Sequence, residues 1–337
     1  MIKINPLLPI DHARVQQLLS YEEELLPGSS VSAEFSGRTF WQHWLPCNWH
    51  LFPSAYVAKE DGAVIGVIAL SRIGKSASCW RIDHLVIHPE HRGRGLAVEL
   101  LRYVFAMFGG QGISHFIAYV SEANSNGLRL FGSCGFRRAA RVMAFNLDLQ
   151  QSLPQSKIAN IQSELCQATS SDYTGLFQLF QDVLPTDLRL VFDYTPDDFK
   201  IIDSPTYNKV RNKLSAAQSK YWLWKDSQRQ VVTSAVKIDF DPELKHAQLT
   251  FVVHSGWKHQ ASDFVQACLL QLKQNYALQS ATACIFDFDS QVVEALQTSG
   301  AEIIGHYCLL TREHWVRAKK VKHAAVGVPS IAKAAPI

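Results

Sequence analysis

Trp80-Arg81-Ile82-Asp83-His84-Leu85-Val86-Ile87-His88-Pro89-Glu90-His91-Arg92-Gly93-Arg94-Gly95-Leu96-Ala97 is the stretch that decides the fold. Trp80 to Ile87 reads as a buried strand, and it stops at His88-Pro89 because proline cannot donate to a sheet ladder. A glycine-rich turn follows. Behind it, apolar residues at Ala97, Leu100, Leu101, Val104, Phe105 and Phe108 form one stripe of an amphipathic helix, which Gly109-Gly110 ends.

The chemistry of the turn follows from its backbone. Gly93 and Gly95 carry no Cβ, so the chain can bend sharply and bring its N–H groups close to a ligand. The first amides of a helix have no partner within it and sit at the positive end of its dipole, which suits an anion. Arg92 and Arg94 add guanidinium forks that match phosphate oxygens. A pyrophosphate is the expected guest. A dinucleotide turn would need Gly-x-Gly-x-x-Gly, and a P-loop would need Gly-Lys-Ser/Thr; neither is present.

The stretch instead resembles the acyl-CoA loop of the GNAT superfamily of N-acyltransferases, whose pattern Arg/Gln-x-x-Gly-x-Gly/Ala is met by Arg92, Gly95 and Ala97. A later signature of that family, Asn-x-x-small-x-x-Leu-Tyr-x-x-x-Gly-Phe, is filled by Asn124, Gly127, Leu130, Phe131, Gly135 and Phe136, with phenylalanine in place of the tyrosine.

The resemblance implies acetyl-CoA as co-substrate, with its pyrophosphate on the amides of Gly93, Arg94, Gly95, Leu96, Ala97 and Val98 beside Arg92. It places the pantetheine arm along Leu85, Val86 and Ile87, with a main-chain N–H of Val86 or Ile87 polarising the thioester carbonyl. Asn124 would hold the strand ends or the arm, or cap the helix behind it. The acceptor is expected to be a primary amine of a small molecule or peptide, which must lose a proton before it attacks. Asp83 is the candidate base; the alternative is a carboxylate paired with Arg81 or Arg92. In a regular strand His84 faces the other way, unless a bulge re-aims it. Glu22, Glu23 and Glu24 either attract a cationic acceptor or form a solvated face. Phe131 occupies the position of the family's tyrosine acid and cannot donate, which leaves the acid unassigned, with Ser133 and Cys134 nearby.

Composition sets the wider bounds. A chain of 337 residues, 47% apolar and 19% charged, has material for about two ordinary domains. A net charge of +3 gives no argument for nucleic acid, and Arg317-Ala318-Lys319-Lys320-Val321-Lys322 reads as a solvated tail. The 7 cysteines show neither zinc nor Cys-x-x-Cys spacing, so thiols packed as small apolar residues in a reducing compartment are expected, with no metal. No leader-like or membrane-length apolar run is present, so the expectation is a cytoplasmic protein without membrane partners.

Along the chain the order of elements repeats. Residues 1–150 read as a GNAT N-acetyltransferase domain closed by a strand at Ala139 to Leu149, 151–158 as a linker, 159–315 as a degenerate GNAT-like domain, and 316–337 as a basic, flexible tail. Gln297-Thr298-Ser299-Gly300-Ala301 echoes Gly132-Ser133-Cys134-Gly135-Phe136. In the second copy, Ala261 and Asp263 stand where Gly95 and Ala97 stood, so its anion site is expected to be lost. The aromatics from Phe35 to Phe52, including Trp41, Trp44 and Trp49, either cover the acceptor groove or pack against the sheet. Thr186 to Ala216 is expected to hold loops or short helices over the interface. The resulting fold class is α/β (α+β), two GNAT-like domains in tandem, each a mixed, mostly antiparallel sheet flanked by helices. The expected activity is acetyl transfer from acetyl-CoA by direct attack in a ternary complex; the alternative is a non-catalytic acyl-CoA-binding or sensing module.

Overall fold

The computed structural model describes residues 2–22, 54–74, 78–109, 113–150, 165–201, 218–226, 228, 231–241, 245–276 and 278–314. The aromatic stretch with Trp41, Trp44 and Trp49, Glu23 and Glu24, the linker at 151–158 and the basic tail lie outside them.

The strands in chain order are β1 (Ile2–Pro6), β2 (Ser54–Glu60), β3 (Ala63–Ile73), β4 (Cys79–Ile87), β5 (His115–Ser121), β6 (Arg137–Asp148), β7 (Leu165–Gln167), β8 (Gln218–Lys225), β9 (Val232–Asp241), β10 (His246–Val253), β11 (Ser280–Phe286) and β12 (Glu302–Glu313). They form one sheet in the order β1-β2-β3-β4-β5-β12-β6-β11-β10-β9-β8-β7. Pairing is antiparallel except for β4 with β5 and β10 with β11. The helices are α1 (His12–Leu19), α2 (Leu96–Gly109), α3 (Ser125–Ser133), α4 (Tyr173–Val183), α5 (Thr186–Phe192), α6 (Ala261–Asn275) and α7 (Ser290–Thr298). The fold is therefore mixed α/β, a mostly antiparallel sheet flanked by helices. No described helix is long and apolar enough to cross a membrane.

The strand read as closing the first sheet does not do so. β6 runs between β12 and β11, from Asp148 opposite Ser280 to Val142 opposite Phe286. Its expected place beside β5 is taken by β12, which pairs Tyr307 with Ser121 and Glu313 with His115. Each half thus receives its last strand from the other. Core membership follows the exchange: Cys308 and Leu310 of β12 pack with Leu100, Leu101 and Val104 of α2, while Phe145, Leu147 and Leu149 pack with Phe264 and Leu269 of α6. Alternation along a strand specifies its apolar face but not which edge it joins, because ladder hydrogen bonds carry no side-chain identity.

The helix predicted behind the glycine turn is α2; Leu100, Leu101, Val104, Phe105 and Phe108 of its stripe are buried, Ala97 is half-buried, and Leu96 is buried beside them. The poorly periodic segment after residue 186 contains α5 and a short turn at Pro196–Phe199. Leu188, Val191 and Phe192 of α5 pack against Cys79, Ile117 and Leu309, which stitches the second half to the underside of β4 and β5.

Candidate functional site

β4 and β5 are paired only from Cys79–His115 to Ile82–Ala118. From Asp83 onward they part, and a cleft of about 560 Å³ opens between them. Its walls are the β4 run from Ile82 to Ile87, the following turn, Ala118 to Ser121 of β5, and Asn124 and Phe131 of the α3 segment. Every residue expected at the cofactor site lines this cleft except Arg94, which is exposed.

Gly93 and Gly95 adopt φ of 77° and 80°, the left-handed region that side chains resist. A Cβ built on either would meet nothing within 4 Å, so the space above the turn is open. Leu96 begins α2 there, and the amides of Ala97 and Val98 lie in its first turn. Arg92 bends back: its Nε donates to the Ile87 carbonyl at 3.2 Å and its Nη2 to the Tyr21 carbonyl at 3.1 Å. This side chain ties the turn to the end of β4 and to the segment after α1, so its guanidinium is partly committed to carbonyl oxygens.

On β4 the pairing with β3 contains one register shift: Ala69 faces His84 and Leu70 faces Ile82, which makes Asp83 the extra residue of a β-bulge. Packing records the same slip. Trp80 and Ile82 join the α2 core, as do Leu85 and Ile87, while Val86 joins the cluster around α1. One added residue between Ile82 and Leu85 puts His84 on the side of Val86, where the Glu22 carboxylate meets its Nδ1 at 2.5 Å. His84 is 1% exposed and lines the cleft. Asp83 also lines the cleft, and its carboxylate is closely paired with the Nε of Arg81, the pairing weighed as its alternative role. The sequence offered His84 as a strand histidine that a bulge could re-aim; that bulge arises from pairing with β3.

Backbone direction also discriminates. The His88 N–H donates to Ile65 on β3 at 2.9 Å. Amides alternate along a strand, so the Ile87 N–H faces the cleft and the Val86 N–H faces β3. Of the two expected carbonyl-polarising amides, the alternation selects Ile87.

Asn124 caps α3, its side chain accepting from the Gly127 N–H at 2.7 Å. Phe131 is 7% exposed and packs edge-on against Phe136 with ring centroids 5.0 Å apart, so the tyrosine position is filled by a fixed apolar ring. Across the cleft, Tyr119 of β5 contributes a phenol whose pKa burial pushes up, which keeps it protonated.

The second half repeats the frame with a different turn. β10 and β11 are paired only from His246–Ser280 to Leu249–Ala283. Gly135 and Gly300 both have φ of 85°, closing α3 and α7 in the same way: Phe136 N–H reaches Phe131 O at 3.1 Å and Ala301 N–H reaches Leu296 O at 3.0 Å. After β10, however, the Gly256 N–H is already taken by the His254 ring at 3.0 Å, and Lys258 reaches the Phe288 carbonyl at 3.5 Å. Asp289, in the place of Asn124, is 7% exposed, and burial, tempered by Lys258, raises its pKa to about 6.

Comparison with known proteins accords with this geometry. Residues 20–136 match the model of the Acetyltransferase (GNAT) family. The mouse protein "Probable N-acetyltransferase family 8 member 5" is 28% identical over 91 residues, which are 26% of this chain and 40% of the relative. A tandem GNAT protein from the clavulanic acid biosynthesis pathway aligns over 94% of this chain and 99% of its own, with a TM-score of 0.61 at 12% identity. A GCN5-related N-acetyltransferase from Sphaerobacter thermophilus aligns over 93% and 95%, with a TM-score of 0.61 at 11% identity. At those identities the alignments speak for the fold. Residues 20–136 are thus similar to the GNAT family, the chain spans well under half the length of its curated relative, and the whole chain shares its fold with a solved tandem GNAT protein.

Proposed function

We propose that the chain is an N-acetyltransferase that binds acetyl-CoA in the first-half cleft and passes the acetyl group to a primary amine of a small molecule or peptide. The observation that carries this reading is the turn at Gly93 and Gly95, left-handed, open above, and set at the mouth of the parted strands. Amides from Gly93 to Val98 would hold the pyrophosphate, and the exposed edge of β4 would pair with the pantetheine arm. The Ile87 N–H would stabilise charge developing on the thioester oxygen. Asn124 fixes the start of α3 at the cleft wall. With Phe131 in the acid position, the departing thiolate takes its proton from the amine nitrogen or from solvent. That route is tolerable for a leaving group with a reference pKa of about 8.5.

Residues 159–315 serve in this reading as structure and as the wall of the acceptor side, since α5 backs β4 and β5. The buried ring of Phe131 favours one rival, an acyl-CoA-binding module that senses without turnover. Calorimetric titration of acetyl-CoA into wild type and Gly95→Asp tests the shared premise. Binding that disappears in the variant supports the site, and absence of binding to wild type sinks both readings. Thioester cleavage with a panel of amines then separates enzyme from sensor.

A further inference from the structure

We propose that the base of this reaction is His84, positioned by Glu22, and that Asp83 is not the base. The inference rests on the acetyltransferase reading above and deepens it at the same site. Three observations converge. The bulge at Asp83 turns His84 out of the α2 core and onto the cleft. Glu22 holds its Nδ1 at 2.5 Å, and the two side chains are 0% and 11% exposed, so the pair is shielded from bulk water. Asp83, by contrast, is engaged with Arg81, whose Nε donates to its carboxylate.

The tautomer follows from the contact. A carboxylate accepts, so Nδ1 carries the proton given to Glu22, and the ring exchanges protons through Nε2. Along β4 the reach from His84 to His88 is about 13 Å at about 3.3 Å per residue. The base therefore sits at the far end of the cleft from the anion turn, at the level where the strands part.

In the step, the acceptor ammonium gives one proton to Nε2, and the freed nitrogen lone pair forms the C–N bond to the thioester carbonyl carbon. The C–S bond then breaks with its electron pair on sulfur. The second proton lost from nitrogen neutralises the thiolate, and the imidazolium returns its proton to solvent. Glu22 stabilises the imidazolium and fixes the ring; it is a positioning residue. Glu22 is the charged group in contact with the ring; the other titratable and charged groups that line the cleft are Tyr21 after α1, Asp83 on β4 with its partner Arg81, His91 and Arg92 in the turn, and Tyr119 on β5.

The test uses the full chain as wild type, His84→Gln, Glu22→Gln and Asp83→Asn, with acetyl-CoA calorimetry beside thioester cleavage measured against pH. His84→Gln is expected to keep acetyl-CoA affinity within about twofold, to lower kcat/KM for amines by about 100-fold or more, and to abolish the acid limb of the profile. Glu22→Gln should lose about tenfold, mostly in kcat, and shift that limb, which a merely structural contact would not do. Asp83→Asn should retain the limb. If no amine on the panel is accepted, slow hydrolysis of acetyl-CoA becomes the readout, with the same ordering expected. A His84→Gln rate and acid limb equal to wild type overturn the proposal, as does loss of the limb in Asp83→Asn instead. Should His84→Gln fail to fold, the Glu22→Gln profile decides alone: an unshifted limb overturns it. Failure of wild type to bind acetyl-CoA at all is a different result, because it removes the acetyltransferase reading itself.

Discussion

Gly95, just before α2 in the first half, and Asp289, just before α7 in the second, make opposite demands. At Gly95 the conformation is left-handed and the space above it open, so Gly95→Ala costs only the backbone strain, about 1–2 kcal/mol. Its melting temperature should fall by a few degrees, while acetyl-CoA affinity should fall more than tenfold because the Cβ occupies the approach of the phosphates; equal affinity would argue against that approach. Asp289 carries a buried carboxyl raised from 3.8 to about 6. Between those values the folded state holds more protons than the unfolded one, so stability drops as pH rises from about 4 through 6, and the penalty persists above. It amounts to about 3 kcal/mol. Asp289→Asn should therefore stabilise the protein at pH 8 by up to that amount and change little at pH 3, as denaturant titrations at the two values would record. Loss of stability at pH 8 would assign Asp289 a paired, ionised role.

At the scale of elements, the amphipathic stripe of α2, the proline stop of β4 and the glycine closures of α3 and α7 are local features, and each was legible because its cause lies within a few residues. The β4 bulge is not local. Which face His84 takes depends on how β4 registers against β3, and a slip of one residue reverses every side chain beyond it. Helix α5 was legible only as a loop or short helix over the interface, because it is short and held by what it covers. Leu188, 1% exposed, packs on Cys79, Ile117 and Leu309, so Leu188→Ala should cost about 2–5 kcal/mol in urea unfolding. The same loss should weaken acceptor use more than acetyl-CoA binding, since the helix backs the far end of the cleft. A cost below 1 kcal/mol would mean that the seam repacks freely.

At the scale of the whole molecule, the described strands form one continuous sheet whose halves have traded their last strands. Neither half can unfold without removing β6 or β12 from the other, and the traded strands bury Phe145, Leu147, Cys308 and Leu310. Calorimetry should show a single cooperative transition for the full chain, and Gly95→Ala, Asp289→Asn and Leu188→Ala should each move that transition as a unit. Two separable transitions, with Leu188→Ala shifting only one, would mean that the exchange contributes little cooperativity. The exchange also brings the second half up to the cleft: β12 flanks β5, one of its walls.

The sequence alone determined most of the elements, the left-handed glycine turn that opens α2 and the repeated order of elements, because hydrophobic period, missing Cβ atoms and helix ends are properties of neighbouring residues. Only the tertiary structure decided which sheet edge each closing strand joined, which amide of β4 meets the cleft, and that His84 rather than a regular-strand neighbour meets Glu22. Those outcomes depend on backbone pairing, and backbone pairing is blind to side-chain identity until the strands are laid side by side.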